Sequence, residues 1–387
     1  MKGIVIWAQS NCRSTMALYR ELIRELNVHA LITLWHYNKC EGDRDIREQV
    51  GFSHDEFSDL PIEPVGEDFS KGLSVLKSHS TWHHVFCVWQ GSPVYRRLIV
   101  EAKRLGCPVA VMCESPCNMA SGWRRLVKAI YMRLALPLLA RPVVKCADLF
   151  INDSGDNIDS ALRLGWRKER IIPFGYFSPP ILNSTCRQRT SNHPFEILAT
   201  GIMAKYRGAD VLVEALHILK MRGVDFHATI TQKGELWSTL KAKAKAFNLP
   251  IDFPGFVEMP ELIKMYETCS VYVGAGRYEP WGMRLNDALH CGAPLVVSRG
   301  MGGVQLVDAF NCGLAVAPGD ACALADAIER LATEDTLYAE VASNAVHAAE
   351  MCLPVRKARE LVRSIQEYVP GWLNKMEVDD AHEESEF

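Results

Sequence analysis

The chain has 387 residues, of which 48% are hydrophobic and 23% are charged, and its formal net charge is −3. The length predicts two domains, and the composition is that of an ordinary soluble α/β protein rather than a disordered chain. The small negative charge gives no overall attraction to nucleic acid, which we do not expect as a partner. Thirteen cysteines without a C-x-x-C pair favour a reducing cytoplasm over a secreted disulfide framework.

Strands alternate with helices along the first half of the chain. The segments GIVIWA, HVFCVW, PVAVMC and ADLFIND are short and apolar, and helices are predicted near residues 15–26 and 96–105, the first with Ser14 as N-cap. This alternation predicts a doubly wound parallel sheet. We place the first domain at residues 1–180 and a polar, proline-bearing linker at residues 181–194.

The most apolar segment of the first half, residues 129–144, is interrupted by Arg133, Pro137 and Arg141. It is shorter than the roughly 20 apolar residues that span a bilayer, so no transmembrane helix is predicted. Residues 122–145 combine Trp123 with several cations, and two interpretations stay open. Such a helix can lie on an anionic membrane, or it can be an amphipathic domain helix whose apolar face is core.

Three patterns resemble metal sites only in their letters. Asp43-Arg44-Asp45 does not follow an apolar strand, and Cys113 and Cys117 have no second ligand pair nearby. His79 and His83 have helical spacing, but they are predicted to be a surface pair. We therefore expect no metal site.

The second half restarts the strand–helix alternation over residues 195–353, with the strands FEILATG, DFHATIT and IDFPGF and helices near residues 210–221, 236–247 and 261–268. The loop GIMAKYRG at residues 201–208 follows the first of these strands. Its cations, Lys205 and Arg207, suit a pyrophosphate whose charge must be stabilised as it leaves. The alternative is a solvated loop with ordinary surface cations.

The most informative segment is YEPWGMRLNDALHCGAPLVVS, residues 278–298, which reads as loop, helix and strand. Glu279 lies just beyond a strand, where ligands bind in parallel sheets, and Asp287 follows eight positions later. Carboxylates accept hydrogen bonds from the vicinal hydroxyls of a hexose or a ribose. Gly282 allows close approach of the backbone, and the N–H groups near Met283 and Arg284 favour a diphosphate.

These residues resemble the E-x7-E signature of family-four glycosyltransferases, the retaining group with a GT-B fold, and the following Cys-Gly-Ala-Pro resembles their next strand. The resemblance implies two Rossmann-like doubly wound parallel-sheet domains that face a cleft. It implies transfer from an NDP-sugar co-substrate to a hydroxyl acceptor, a glycan or lipid-linked saccharide, without a metal or other cofactor. A phosphate oxygen takes the acceptor's proton, so no protein nucleophile is required.

The resemblance also assigns roles to particular residues. Glu279 would hold the hexose, Asp287 the ribose, and Arg207 with Lys205 the diphosphate. The loop of residues 300–305 resembles a GG-x-x-E turn near the nucleotide, or it is a plain turn. Glu114 stands where the family commonly has a His near acceptor and donor, although it can instead cap the next segment. The candidate catalytic residues are Glu279, Arg207 and Glu114; the candidate substrate-binding residues are Lys205, Gly282, Met283, Arg284, Asp287, Gly201 and Gly303.

This sequence departs from the family pattern at two positions. Asp287 replaces the second Glu, and Ile202 stands where the loop usually carries an Arg. Two other functions therefore stay open, a sugar-nucleotide epimerase of the same fold and a non-catalytic descendant that binds a partner or a membrane. The family fold further implies that residues 354–376 form a helix that returns to the first domain. Residues 377–387 are acidic and predicted to be disordered. We expect a cytoplasmic protein that can lie at the inner face of the membrane.

Overall fold

The structure is a computed structural model, which describes residues 3–9, 12–35, 57–88, 92–116, 122–181 and 194–374. The chain divides into two compact units. Unit 1 comprises Met1–Phe177 and Pro354–Phe387, and unit 2 comprises Ser178–Leu353. The predicted linker lies almost entirely outside the described residues, as do the acidic tail, Asp43-Arg44-Asp45 and Cys117.

Unit 1 contains a seven-stranded parallel sheet with the order β3-β2-β1-β4-β5-β6-β7. Its central strands are buried runs of apolar residues, as expected for a parallel sheet that is covered on both faces. The strands are β1 (Gly3–Ala8), β2 (His29–Leu34), β3 (Ile62–Pro64), β4 (His83–Phe86), β5 (Val109–Cys113), β6 (Leu149–Asn152) and β7 (Ile171–Pro173).

Helices of unit 1 connect these strands and complete the layers. They are α1 (Arg13–Leu26), α2 (Phe69–Ser78), α3 (Pro93–Arg104), α4 (Gly122–Cys146), α5 (Asp159–Arg163), α13 (Pro354–Tyr368) and α14 (Pro370–Asn374). Capping explains two of the starts: Asp68 accepts hydrogen bonds from the backbone of Ser70 and Lys71, and Ser92 accepts one from Tyr95 ahead of α3. The predicted cap of α1 is wrong, because Cys12 and not Ser14 precedes that helix, without a side-chain cap.

The histidines that were predicted to form a surface pair lie in different surroundings. His83 is buried in β4, with Nε2 2.7 Å from the carbonyl oxygen of Trp372, while Nδ1 of His79 lies 3.0 Å from that of Val75. The surface pair is therefore a wrong prediction for His83. Among the described residues, no helix is both long enough and apolar enough to cross a membrane.

Unit 2 contains a six-stranded parallel sheet with the order β10-β9-β8-β11-β12-β13. Its strands are β8 (Phe195–Ala199), β9 (Phe226–Thr231), β10 (Ile251–Gly255), β11 (Val271–Gly274), β12 (Leu295–Ser298) and β13 (Gly313–Val316). Its helices are α6 (Ala209–Met221), α7 (Trp237–Ala246), α8 (Met259–Thr268), α9 (Arg284–His290), α10 (Val304–Phe310), α11 (Ala321–Thr333) and α12 (Asp335–Met351).

Both units are thus Rossmann-like doubly wound sheets, which confirms the predicted fold class. In each sheet the strand order reverses beside the first strand, between β1 and β4 and between β8 and β11. Ligands of such folds bind outside the carboxyl ends of the strands at these reversal points. Helix α13 packs on α1 in unit 1, where Arg359 lies 3.0 Å from Glu25.

Candidate functional site

A cavity opens at the reversal point of unit 2, beyond the carboxyl ends of β8 and β11. Backbone and side chains from both strands form its floor, and the signature segment forms one wall. The polar and glycine residues of its lining include Thr200, Gly201, Arg207, Tyr272, Gly276, Glu279, Gly282 and Arg284. Five of the sequence candidates, Gly201, Arg207, Glu279, Gly282 and Arg284, therefore line one cavity.

Glu279 and Arg207 form the charged centre of this wall. Arg207 Nη1 lies 2.7 Å from Glu279 Oε2, and both side chains are partly buried. Burial raises the pKa of the Glu279 carboxyl above its ordinary value, although the cations of Arg207 and Arg284 act in the opposite direction. Because the carboxylate is an acceptor and the guanidinium a donor, the pair can bind both hydroxyls and an anion.

Backbone bonds to the loop after β12 hold Glu279 in place. Its N–H donates to the carbonyl of Gly300 at 3.0 Å, and its own carbonyl accepts from Gly302 at 3.0 Å. A Cβ on Gly303 would lie 2.7 Å from the Trp281 carbonyl oxygen and 2.6 Å from Leu285. Glycine at position 303 thus lets two loops pack closely, and the residue lies outside the cavity lining.

Gly282 is the glycine of the signature that faces the cavity. Its φ is +96°, and a Cβ there would come within 2.6 Å of the Met301 methyl group. A side chain at this position would therefore be strained and would displace a lining residue. Met283 follows as an exposed residue, and α9 begins at Arg284.

Arg284 reaches the cavity with its side chain, whereas the sequence interpretation had used its backbone N–H. The guanidinium hydrogen-bonds Tyr266. Burial acts to lower its pKa, but Tyr266, Tyr272 and Asp287 offset this and the pKa is raised. The hydroxyls of Tyr266 and Tyr272 lie 3.1 and 3.0 Å from Thr200 Oγ1, so this cation sits in a connected set of hydroxyl groups.

Two further sequence candidates of unit 2 lie beside the cavity and not in its lining. Asp287, on α9, accepts a hydrogen bond of 3.2 Å from the Ser178 hydroxyl. Lys205 is exposed, and its backbone N–H donates to Glu235 at 3.1 Å.

Sequence reasoning missed the residues that hold the turn of residues 205–207. Arg277 donates to both carboxylate oxygens of Asp210, at 2.6 and 2.8 Å, and also to the carbonyl of Lys205 at 2.8 Å. Its backbone N–H donates to the Tyr206 carbonyl. This clamp ties the loop after β11 to the cationic turn and to α6.

In unit 1, two carboxyl groups follow neighbouring strands, Glu114 after β5 and Asp153 after β6. The two strand ends are joined by hydrogen bonds from Ser115 to Ser154 and to Asn152, at 2.9 and 2.8 Å. Asp153 is only 4% exposed, and its Oδ1 has no hydrogen-bond partner in the described part of the chain. Burial and the charge of Glu114 raise its pKa well above the ordinary value. Sequence reasoning missed Asp153, although it ends the predicted strand ADLFIND.

The sequence of unit 2 also matches a known protein family. Residues 187–348 match the model of the family Glycosyl transferases group 1, which confirms the resemblance. The matched residues all lie within unit 2.

Curated relatives match part of the chain. A mannosylfructose-phosphate synthase of Agrobacterium fabrum is 26% identical over 175 residues, covering 40% of this chain and 38% of the relative. A GDP-mannose-dependent alpha-(1-6)-phosphatidylinositol dimannoside mannosyltransferase of Mycobacterium tuberculosis is 31% identical over 144 residues, covering 35% and 37%. The matches thus span less than two fifths of the length of these two relatives.

Solved structures match nearly the whole fold. Anabaena Alr3699/HepE in complex with UDP has a TM-score of 0.68 at 15% identity, covering 95% of this chain and 99% of that one. The lipopolysaccharide outer core galactosyltransferase WaaB has a TM-score of 0.67 at 12% identity, with the same coverage. At such identity the likeness shows the fold, which is that of two Rossmann-like units.

Proposed function

We propose that the protein is a retaining glycosyltransferase that moves a sugar from an NDP-sugar to a hydroxyl acceptor. The observation that carries this proposal is the Glu279–Arg207 pair, 2.7 Å apart on the wall of a cavity at the reversal point of unit 2. This position is where doubly wound folds bind nucleotides. The family match over residues 187–348 supports the same class of reaction.

The donor binds unit 2. Glu279 accepts hydrogen bonds from hydroxyls of the sugar, and Arg207 donates to the diphosphate, with Lys205 adding attraction from the exposed side of the turn. Gly201 and Gly282 leave room for the ligand, and backbone N–H groups at Met283 and Arg284 add to the phosphate site. Asp287 binds the ribose, and Gly303 keeps the two loops of the wall together.

The acceptor hydroxyl attacks the anomeric carbon on the face of the leaving group, so the configuration is retained. The bond between the anomeric carbon and the diphosphate oxygen breaks, a bond to the acceptor oxygen forms, and the acceptor's proton passes to the departing phosphate oxygen. Arg207 stabilises the charge that develops on the diphosphate. A fixed guanidinium can take this role without a divalent cation, so we propose metal-independent transfer.

The acceptor binds unit 1, where Glu114 and Asp153 follow neighbouring strands. Glu114 serves as an acceptor or base for the incoming hydroxyl, and Asp153 in its neutral form donates a hydrogen bond to it. A glycan or lipid-linked saccharide offers such hydroxyls. Helix α4 would hold the protein at the membrane where a lipid-linked acceptor lies.

Glu279→Gln tests the proposal, with Glu267→Gln on the exposed face of α8 as the matched control. Binding of UDP, GDP and ADP is measured by calorimetry in the presence of EDTA, followed by release of NDP from the sugar conjugates of the preferred base. We expect Glu279→Gln to bind the NDP within about threefold of the wild type, since the group contacts the sugar. Donor turnover should fall by about 10²–10³, the usual effect of removing one group that acts in the transition state.

The control should match the wild type in both measurements. Full turnover by Glu279→Gln, or a wild-type protein that binds no NDP at millimolar concentration, would overturn the proposal.

A further inference from the structure

Two guanidinium groups reach the cavity of unit 2 from different elements. Arg207 comes from the turn after β8, and Arg284 from the first residue of α9. The loop at Gly201 passes close to both, because a Cβ built there would lie 3.8 Å from Arg284 Nε and 3.9 Å from Arg207 Nη1. The two cations therefore approach the same point of the cavity.

The charges of the lining do not balance. Among the described residues, the charged members of the lining are Arg207, Arg284 and Glu279, which is two positive charges against one negative. Glu279 is already engaged with Arg207 at 2.7 Å. An anionic ligand therefore meets a net positive charge in the lining, while Asp287 acts on Arg284 from outside it.

Arg284 is held in place before any ligand arrives. Its guanidinium bonds Tyr266, whose hydroxyl lies 3.1 Å from Thr200 Oγ1, and Thr200 is 3.0 Å from the Tyr272 hydroxyl. Tyr266 is fully buried, and Tyr272 nearly so. These hydroxyl groups orient the guanidinium, and the carboxylate of Asp287 also attracts it. A cation that is held in place before the ligand arrives is preorganised to bind an anion.

The neighbouring residues of the loop do not supply this charge. Ile202, next to Gly201, lines the cavity and is 49% exposed, but it is apolar. Lys205 is exposed and lies outside the lining. Arg284 is thus the second cation of this lining, beside Arg207.

We propose that the side chain of Arg284 binds the diphosphate of the donor together with Arg207, and that Tyr266 is the positioning residue that orients it. The sequence thereby carries at position 284 the cation that its loop lacks at position 202. This inference rests on the proposed function, because it assigns a ligand contact within the donor site.

The test compares three ligands of the base that the wild type prefers: the nucleoside diphosphate, the monophosphate and the nucleoside. Their dissociation constants are measured by calorimetry for the wild type, Arg284→Met, Arg284→Lys and Tyr266→Phe. The matched control is Arg299→Met, which removes an exposed arginine paired with Asp308. A contact to phosphate changes the ratio of diphosphate to nucleoside affinity, which a general loosening of the unit does not.

We expect Arg284→Met to weaken diphosphate binding by about ten- to one-hundredfold, the usual effect of losing a hydrogen bond to a charged group. Nucleoside binding should change by less than about threefold. Arg284→Lys should bind the diphosphate with an affinity between those of the wild type and Arg284→Met, because lysine keeps the charge and loses the forked geometry of the guanidinium. Tyr266→Phe should weaken diphosphate binding in the same selective way but less strongly, and Arg299→Met should leave every constant unchanged.

A cation introduced at position 202 of the same lining provides the decisive control. The double variant Ile202→Arg/Arg284→Met should recover a large part of the lost diphosphate affinity, which a purely structural role of Arg284 does not predict. Melting temperatures of all variants show whether each one is folded at the temperature of the titration.

The possible failures are distinguishable. If the wild type binds no nucleoside diphosphate, the proposed function itself is overturned. If the wild type binds it and Arg284→Met binds it equally well, or loses nucleoside and diphosphate affinity in equal measure without recovery in the double variant, only this inference is overturned.

Discussion

The buried residue Asp153 is expected to make the free energy of unfolding depend on pH. Its side chain is 4% exposed, and Oδ1 lacks a partner in the described part of the chain. The neutral acid is therefore favoured in the folded protein, and burial together with Glu114 raises the pKa well above the ordinary 3.8. The pKa of Tyr176 is raised as well, by burial and by the charges of Asp153 and Glu114.

We predict that Asp153→Asn will be at least as stable as the wild type at neutral pH. The folded pKa lies above the unfolded one, so the stability that the group contributes is fully present below about pH 4 and is lost as the pH rises through the folded pKa. Asparagine does not titrate and removes this loss. The measurement is the free energy of unfolding by urea between pH 4 and pH 8.

The exposed Asp225→Asn is the control and should keep the wild-type slope. A slope for Asp153→Asn that equals the slope of the wild type would show that Asp153 is ionised in the folded protein. In that case Asp153 could not donate a hydrogen bond to an acceptor hydroxyl.

At the scale of elements, the cationic turn of residues 205–207 depends on a clamp from another loop. Arg277 bonds Asp210 at 2.6 and 2.8 Å and also holds the Lys205 carbonyl. The clamp places Arg207 and does not line the cavity. Its residues therefore act on the ligand only through the turn.

We predict that Arg277→Met and Asp210→Asn will each weaken binding of the nucleoside diphosphate by about three- to tenfold. The double variant should be no worse than the weaker-binding single one, because residues of one ion pair are not additive. Calorimetric titration of the three variants measures this. Arg222→Met, which removes an exposed arginine bonded to Asp326 and Glu329, is the control. Additive losses in the double variant would contradict the clamp.

Local patterns predicted much of the fold, because most strands are continuous apolar runs bounded by polar loops. Strands β2 and β3 were not identified, since β2 begins with one exposed and two half-buried residues and β3 is three residues long with a terminal proline. Helix α2 was missed as well, although Asp68 caps it.

Some residues of the candidate site could likewise be predicted from short sequence motifs, whereas others depend on contacts between distant parts of the chain. Gly201, Arg207, Glu279 and Gly282 could be selected from the sequence because each lies within a short motif. The clamp could not, because Arg277 and Asp210 are 67 positions apart and no local period relates them. The direction of the Arg284 side chain is likewise set by tyrosines on α8 and β11, which the signature does not contain.

At the scale of the whole molecule, charge and apolar surface are unevenly distributed. The chain has a net charge of −3, yet its segment of 25 residues in α4 contains six cations and no acid. One side of α4 packs into the core of unit 1 through Leu136, Ala140 and Val143. A second set of large apolar side chains is exposed along the same helix: Trp123, Leu126, Val127, Ile130, Tyr131, Leu134, Leu138 and Leu139.

With one face packed into unit 1, α4 still presents exposed apolar side chains that can enter a membrane interface. The exposed residues recur every three or four positions, so they form a stripe beside the cations. Apolar side chains can enter the acyl boundary while the cations attract anionic headgroups, even though the net charge of the whole chain is negative. We therefore propose that α4 binds an anionic membrane surface.

We predict that the protein will sediment with vesicles of phosphatidylcholine and phosphatidylglycerol, and much less with phosphatidylcholine alone. Leu126→Glu/Leu134→Glu should lower the partition coefficient by about a hundredfold or more, because each exposed leucine that enters the acyl boundary is worth roughly 1.5–3 kcal/mol. Met221→Glu is the matched control: Met221 is 75% exposed, comparable with Leu126 at 67%, but it belongs to unit 2 and is not part of α4. Binding should also weaken as salt rises, since the headgroup attraction is screened. Equal loss in the control, or binding that depends on neither lipid charge nor salt, would show that α4 is not the membrane-binding element.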